Sequence, residues 1–401
     1  MTISNNSFDF IVIGGGIAGL SIASALAATH RVALVDQEDQ PGFHATGRSA
    51  ALFLPFYGDF TVRALTRLSK SFFDRPPEGF SATPLLSPRQ VLLVASEAQK
   101  EMLEAFWSDP ETRLHARRLS GEDARALVPI LRPEYSADAV LDTTTSDIDV
   151  HALQEGFMRR LRAAEATLLF GAPVTALDRT GQGWRVTAGQ AVLSGSVLVN
   201  AAGAWADEIA AMAGLSRLGL VPCRRTAILV PAPEGHRIGG WPLVGDVSET
   251  FYFKPDAGAL MVSPSDESAC QPYDAQAEEI DVAMAVHKFE LATTAKIGRV
   301  THRWAGLRSF FPDRLPTIGY DTSDTGFFWL AGQGGFGIQT APAMGEWAAS
   351  LARGDGTPSA FSDVGLTADA VSPVRLDGIP AHPVSSNLVP GMTKLVEEEL
   401  A

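Results

Sequence analysis

Phe8-Asp9-Phe10-Ile11-Val12-Ile13-Gly14-Gly15-Gly16-Ile17-Ala18-Gly19 leads into an alanine- and leucine-rich run to Ala28, and a second apolar run, Arg31 to Val35, ends at Asp36. Phe10 to Ile13 is β-branched and apolar, as expected of a strand buried on both faces of a parallel sheet. The glycines fit G-x-G-x-x-G: Gly14 permits the tight turn, Gly16 lets the backbone approach a pyrophosphate, and Gly19 lets helix and strand pack closely. The helix expected from Ile17 to Ala28 would aim its unpaired N–H groups and dipole at the phosphates. Asp36 stands about 20 residues beyond the glycines, where an acceptor for a ribose 2′-hydroxyl is wanted. Together these parts predict a dinucleotide-binding βαβ unit. The terminal acid disfavours a 2′-phosphate and therefore NADP, but the unit leaves NAD and FAD open.

The chain has 401 residues, so two domains are expected. Its net charge of −14, from 46 acids and 32 bases, disfavours nucleic acid and anionic membranes as partners. The only cysteines, Cys223 and Cys270, form neither a metal-ligand spacing nor a disulfide framework, and the eight histidines show no paired spacing, so no catalytic metal is expected. No apolar run reaches the length of a membrane span, and no signal peptide is read at the N-terminus; a cytoplasmic location is the expectation.

The loop after Asp36 reads Gly42-Phe43-His44-Ala45-Thr46-Gly47-Arg48-Ser49-Ala50-Ala51 and opens into a helix-like apolar run. Arg48 and Ser49 are donors suited to further phosphate or flavin contacts at a helix N-terminus. Further strands are read at 168–177, 183–188, 197–200, 218–230, 249–262 (with a turn at Pro255–Gly258) and 326–331. Helices are read at 97–107, 121–127, 151–164 (capped by Asp149), 205–213, 281–291 and from about Thr340 to Ala352.

The strings GFHATGRSAA, FYG at 56–58, PLLSPR at 84–89, VLVNAAGAWADEIA from Val197, FYFKPDAG from Phe251, WAGLRSF from Trp304 and GQGGFGIQT from Gly332 resemble the D-amino acid oxidase/dehydrogenase superfamily of FAD enzymes. Within it the likeness is nearest to D-arginine dehydrogenase-like enzymes. The resemblance implies an α/β fold: a Rossmann-type FAD-binding domain interleaved with an α+β substrate domain on an antiparallel sheet. Its expected segments are 1–80, 145–220 and 300–363 for FAD, and 81–144 and 221–299 for substrate. Residues 364–401 are expected to be a C-terminal arm or tail, extended or disordered from about Ser372.

The resemblance also implies a site. Gly14, Gly16, Ile17, Ala18, Gly19, Asp36, Gln37, Thr46, Gly47, Arg48, Ser49, Ala50, Ala51, Val174, Ala202, Gly203 and Trp205 would hold non-covalent FAD. Gly334, Gly335, Phe336, Gly337, Ile338, Gln339, Thr340 and Arg308 would complete that set, the helix N-terminus facing the flavin's pyrimidine end. Arg308 and Arg225 would grip a substrate carboxylate with Tyr252, Tyr57 would orient the substrate, and the Gly335 carbonyl would accept from its amine. A planar guanidinium suits this task because it holds a carboxylate through two parallel charge-assisted bonds. Leu52 and Val91 stand where D-arginine dehydrogenase-like enzymes carry a histidine and a guanidinium-binding glutamate, so a neutral or apolar side chain is expected.

The implied reaction is oxidation of the Cα–N bond of an amino acid, with the D-enantiomer expected, to an imino acid. Oxygen, a quinone or another acceptor would take the electrons. The alternatives are a secondary-amine oxidase acting on sarcosine, an iminodiacid or a cyclic imino acid, a non-catalytic dinucleotide-binding module, and an NAD-dependent dehydrogenase.

Overall fold

The computed structural model describes residues 7–377. Ser7–Ile13 pairs in parallel with Val32–Val35 on one side and Ala191–Asn200 on the other. Thr167–Leu169 and Phe327–Ala331 extend this parallel core, and Thr317–Tyr320 closes one edge antiparallel. The period of two in the first strand is used on both faces: Phe10 and Val12 join one core with Leu20, Leu34 and Trp347, while Ile11 and Ile13 join another with Val35, Trp184 and Trp329. Burial on both faces explains why no polar alternation was visible there.

The first helix is Ile17–Leu26 and lies against Gly337–Arg353. The two backbones approach closely at Gly345, where an added Cβ would come within 2.6 Å of the Ser21 Cβ. The later helix starts at Gly337, three residues before the sequence-based estimate. Leu168–Leu177 is two strands, Thr167–Leu169 and Val174–Thr180, rather than one.

The second sheet has nine strands and is antiparallel throughout except where Leu243–Asp246 runs parallel to Val91–Ala95. Its core holds Leu92, Val94, Ile228, Phe253 and Phe289, the last on the covering helix Glu279–Ala292. His302–Phe310 pairs along Val221–Pro231 from Val221–Phe310 to Leu229–His302. Residues 302–310 thus lie in the antiparallel sheet, although the sequence reading grouped them with the FAD-binding segment from 300.

Two local expectations are corrected. After Gly47 there is no helix: Ala51 takes φ +43°, and Leu52–Phe53 is a short strand paired with Ser146–Asp147. The extended or disordered tail expected from about Ser372 does not hold for its first residues: Pro373–Leu376 is a helical turn with Leu376 in the core, and Arg375 pairs with Asp313 at 2.7 Å. Pro380, Pro383, Pro390 and Glu397–Glu399 lie outside the described residues.

Candidate active site

The glycine turn after the first strand is enforced by its neighbours. At Gly14, φ is +114° and an added Cβ would come within 2.3 Å of the Ala201 carbonyl oxygen; at Gly19 it would come within 1.8 Å of the Gly14 oxygen. Ile17 N–H donates to Thr46 Oγ1 at 3.0 Å, so Thr46 reaches the N-terminus of the first helix. Asp36 accepts from Gly15 N–H and, at 2.8 Å, from Glu38 N–H. Burial raises its pKa, while these two backbone donors oppose the rise.

These elements border a cavity of about 330 Å³. Gly14, Gly16, Ile17, Ala18, Asp36, Gln37, Thr46, Arg48, Ser49, Ala50, Val174, Ala202, Gly203 and Trp205 line it, as do Arg308, Gly334, Gly335, Gly337 and Ile338. The N-termini of both long helices therefore open on the same space. Gly19, Gly47 and Thr340 do not line it: Gly19 packs beneath the turn, Gly47 N–H donates to the Gly42 carbonyl, and buried Thr340 bonds the Phe336 carbonyl. Arg48 faces the cavity, but its guanidinium donates to the Ala275 and Ala305 carbonyls at 2.8 and 3.1 Å and pairs with Asp274. Its charge ties this loop to the substrate-side sheet. The sequence reading missed Glu38 and His44, which also line the cavity and pair at 2.9 Å, with the His44 ring 4.7 Å from that of Trp205.

A second cavity, of about 1020 Å³, adjoins the first. Arg225, Tyr252, Arg308 and Gly335 line both, and so mark the junction. Ala51, Tyr57, Phe336 and Gln339 line the second alone. Gln339 is engaged in the scaffold, accepting from Leu54 N–H and donating to Thr66 Oγ1, both at 3.0 Å. The antiparallel register sets Cys223 opposite Arg308 and Arg225 opposite Gly306, which brings the two arginines to one face.

The arginines differ in their partners. Arg225 Nε donates to the Asp266 carbonyl at 2.6 Å and its Nη2 to Glu267 at 3.0 Å; Glu267 also pairs with Arg314 at 3.2 Å. Arg308 has no hydrogen bond or ion pair among the described residues. Burial, then the charge of Arg225, lowers the pKa of its guanidinium, with Tyr252 and Glu267 acting in the opposite sense. A cation held in this way is poised to receive an anion.

Leu52 and Val91 line the second cavity together with Leu54, Leu93 and Phe251, which gives it apolar walls. The cavity nevertheless contains acids that the resemblance did not reveal, above all Glu249, whose side chain interacts with Tyr57. Sequence reasoning placed Glu249 at the start of a strand. The structure puts it on the turn before Tyr252–Asp256, with its N–H donating to the Asp246 carbonyl at 2.9 Å.

The profile of the FAD dependent oxidoreductase family, DAO, matches residues 9–351. The chain belongs to this family. It is 22% identical over 369 residues to mitochondrial dimethylglycine dehydrogenase of Mus musculus, covering 84% of this chain but 41% of that protein. The chain thus spans about two fifths of the length of the mammalian dimethylglycine dehydrogenases it matches. Among solved structures it is similar to L-proline dehydrogenase from P. horikoshii, with a TM-score of 0.76, 20% identity and coverage of 92% of this chain and 98% of that one. Iminodiacetate oxidase from Chelativorans sp. BNC1 gives 0.74, 21%, 91% and 98%. These likenesses establish the mixed α/β fold of FAD-dependent oxidoreductases. The residues present fit that cofactor: Gly14, where no Cβ fits, two helix N-termini and the acid Asp36 face one cavity. No helix among the described residues is long and apolar enough to cross a membrane.

Proposed function

We propose that this protein oxidises the Cα–N bond of an amino acid to an imino acid. The observation that carries this reading is Arg308, a half-buried cation with no hydrogen bond or ion pair among the described residues, at the junction of the two cavities. In this reading Gly14, Gly16, Ile17 and Ala18 hold the FAD pyrophosphate, Asp36 and Val174 border the adenosine, and Ser49, Ala50 and Gly334–Ile338 border the flavin. FAD, when bound there, supplies the acceptor for a hydride from Cα. Arg308 grips the substrate carboxylate through two parallel bonds, and Arg225, fixed by Glu267, adds its remaining Nη1. Tyr252 and Tyr57 flank the substrate, and the Gly335 carbonyl accepts from its amine. Anchoring the carboxylate at the junction holds Cα in one place, as such a transfer requires.

The side chain would extend into the second cavity against Leu52 and Val91, which favours apolar or neutral D-amino acids. A second reading, a secondary or tertiary amine as substrate, is favoured by the width of that cavity and by relatives named for dimethylglycine, proline and iminodiacetate. Anaerobic mixing of the yellow protein with D-, L- and N-methyl amino acids, followed by flavin absorbance, decides between them. Bleaching by apolar D-amino acids supports the first reading, and bleaching only by N-substituted or cyclic compounds supports the second. No bleaching by any of them refutes both.

A further inference from the structure

The second cavity holds a pair that the carboxylate grip does not use. Glu249 sits at the end of a turn that Asp246 braces, its carboxylate accepting from Thr250 N–H at 2.6 Å and Phe251 N–H at 3.2 Å. Glu249 itself is held at φ +57°, a left-handed conformation unfavourable to any residue with a Cβ. Of the six non-glycine residues with positive φ among those described, four line this cavity: Ala51, Glu249, Ser265 and Arg314. Backbone strain is therefore concentrated here. Tyr57 and Glu249 line the same cavity and interact with each other, and Arg308 and Arg225 also act on Tyr57.

We propose that Glu249, reached through the Tyr57 hydroxyl, takes the proton from the ammonium nitrogen of the bound substrate. The proposal rests on the amino-acid-oxidising reading above. An amino acid arrives at neutral pH as a zwitterion, and hydride can leave Cα only when the nitrogen lone pair is free. In the step proposed, the N–H bond breaks with its electron pair remaining on nitrogen. That proton bonds to the Tyr57 oxygen while the hydroxyl's own proton passes to a Glu249 carboxylate oxygen. One N–H is lost, one carboxyl O–H is gained, and nothing is oxidised or reduced. Arg308 and Arg225 meet the negative end of the zwitterion, and Glu249 relieves the positive end.

The surroundings suit a base working near neutrality. Burial lifts the Glu249 carboxyl from 4.5 to about 7; its interaction with Tyr57 and the Arg225 charge oppose the rise, whereas Asp246 and Glu267 add to it. Tyr57 is held above its ordinary 10, first by burial and then by Glu249, so it stays a donor to the carboxylate. From the neighbouring helix, Lys288 donates to the Thr250 and Pro264 carbonyls at 2.8 and 2.9 Å, and burial lowers its pKa. Asp266 lines the same space and bonds Thr226.

The test is kcat/KM against pH for the holoenzyme, wild type, Glu249→Gln and Tyr57→Phe, using the amino acid or amine that reduces the flavin fastest. The wild type should rise through a limb near pH 7. Glu249→Gln should lose that limb and fall about 100-fold at pH 8, the usual scale of one positioned base. Tyr57→Phe should fall comparably. As the readout a merely structural role would not share, the dissociation constant of benzoate, a carboxylate without an amine, should change less than about threefold in Glu249→Gln, by flavin absorbance. A limb near pH 7 that survives in Glu249→Gln overturns the proposal, as does benzoate binding weakened as much as turnover. A wild-type protein reduced by no amine at any pH removes the functional reading, and this proposal with it.

Discussion

Replacing Arg308 by methionine separates what the residue does for the substrate from what it does for the fold. Charge-assisted hydrogen bonds contribute about 1.5–3 kcal/mol each, so losing a bidentate grip on a carboxylate should cost roughly 3–4 kcal/mol once the shared desolvation is allowed for. At about 1.4 kcal/mol per factor of ten, kcat/KM should fall roughly 150- to 700-fold, and the dissociation constant of a simple carboxylate inhibitor should rise in parallel. Stability should move the other way. Burial and the Arg225 charge both disfavour the charged guanidinium in the folded protein, so removing it relieves a penalty, and no carboxylate among the described residues loses an ion pair. The melting temperature of the FAD-loaded variant should therefore equal or exceed that of the wild type. Arg308→Lys, which keeps the charge but not the planar fork, should recover only part of the affinity. Anaerobic flavin reduction, inhibitor titration and thermal melts of the same preparations supply the three numbers. A loss below about tenfold, or a variant that binds the inhibitor normally, would show that Arg308 does not carry the carboxylate.

Three further outcomes are expected. Gly14→Ala should purify without yellow colour, because the new Cβ would meet the Ala201 carbonyl oxygen at 2.3 Å in a backbone conformation, φ +114°, that alanine resists; a variant with full FAD content contradicts the cradle. Val91→Glu should raise kcat/KM for D-arginine relative to D-leucine at least about tenfold, since the new acid would sit beside Asp142 across the strand pair and seek a cation; an unchanged ratio means that side chains do not reach this wall. The raised carboxyl of Glu249 makes the fold pH-sensitive with a definite sign: a folded pKa of about 7 against 4.5 unfolded means that its penalty is absent below the lower value and grows as pH rises through the upper one. By pH 8 the ionised form costs at most on the order of 3 kcal/mol, so Glu249→Gln should melt progressively higher than the wild type between about pH 5 and 8, whereas parallel curves would place the group elsewhere.

What could be read from the sequence was what is local in the chain. The glycine turn, the first helix and Asp36 lie within one stretch, and each constrains the next, so spacing alone revealed them. The run after Gly47 deceived because Ser49, Ala50 and Ala51 tolerate a helix. What decides their conformation is distant: Arg48 is drawn to the Ala275 and Ala305 carbonyls, Trp304 Nε1 donates to the Arg48 carbonyl at 3.1 Å, and Leu52–Phe53 finds its partner strand at Ser146–Asp147. Arg225 and Arg308 were nameable through resemblance, but their meeting depends on the long register between two strands far apart in sequence. Glu249 gave no signal because its place is set by a turn, and its partner Tyr57 comes from another loop entirely.

The treatment of charge in the second cavity argues that these features belong to one design. The chain can neutralise arginines where it needs to: Glu267 holds both Arg225 and Arg314, and Asp281 pairs with Arg224 at 2.8 Å. At Arg308 it does not, although acids line the same cavity. Glu249 likewise makes no ion pair among the described residues, lines the cavity with the Tyr57 phenol and is held in a strained backbone. Each departure destabilises the ligand-free fold: one leaves a cation without a counter-ion and the other holds a residue with a Cβ at φ +57°. A cation and an acid that line one cavity without pairing with each other leave room for a molecule that carries both opposite charges, and at neutral pH an amino acid is such a molecule.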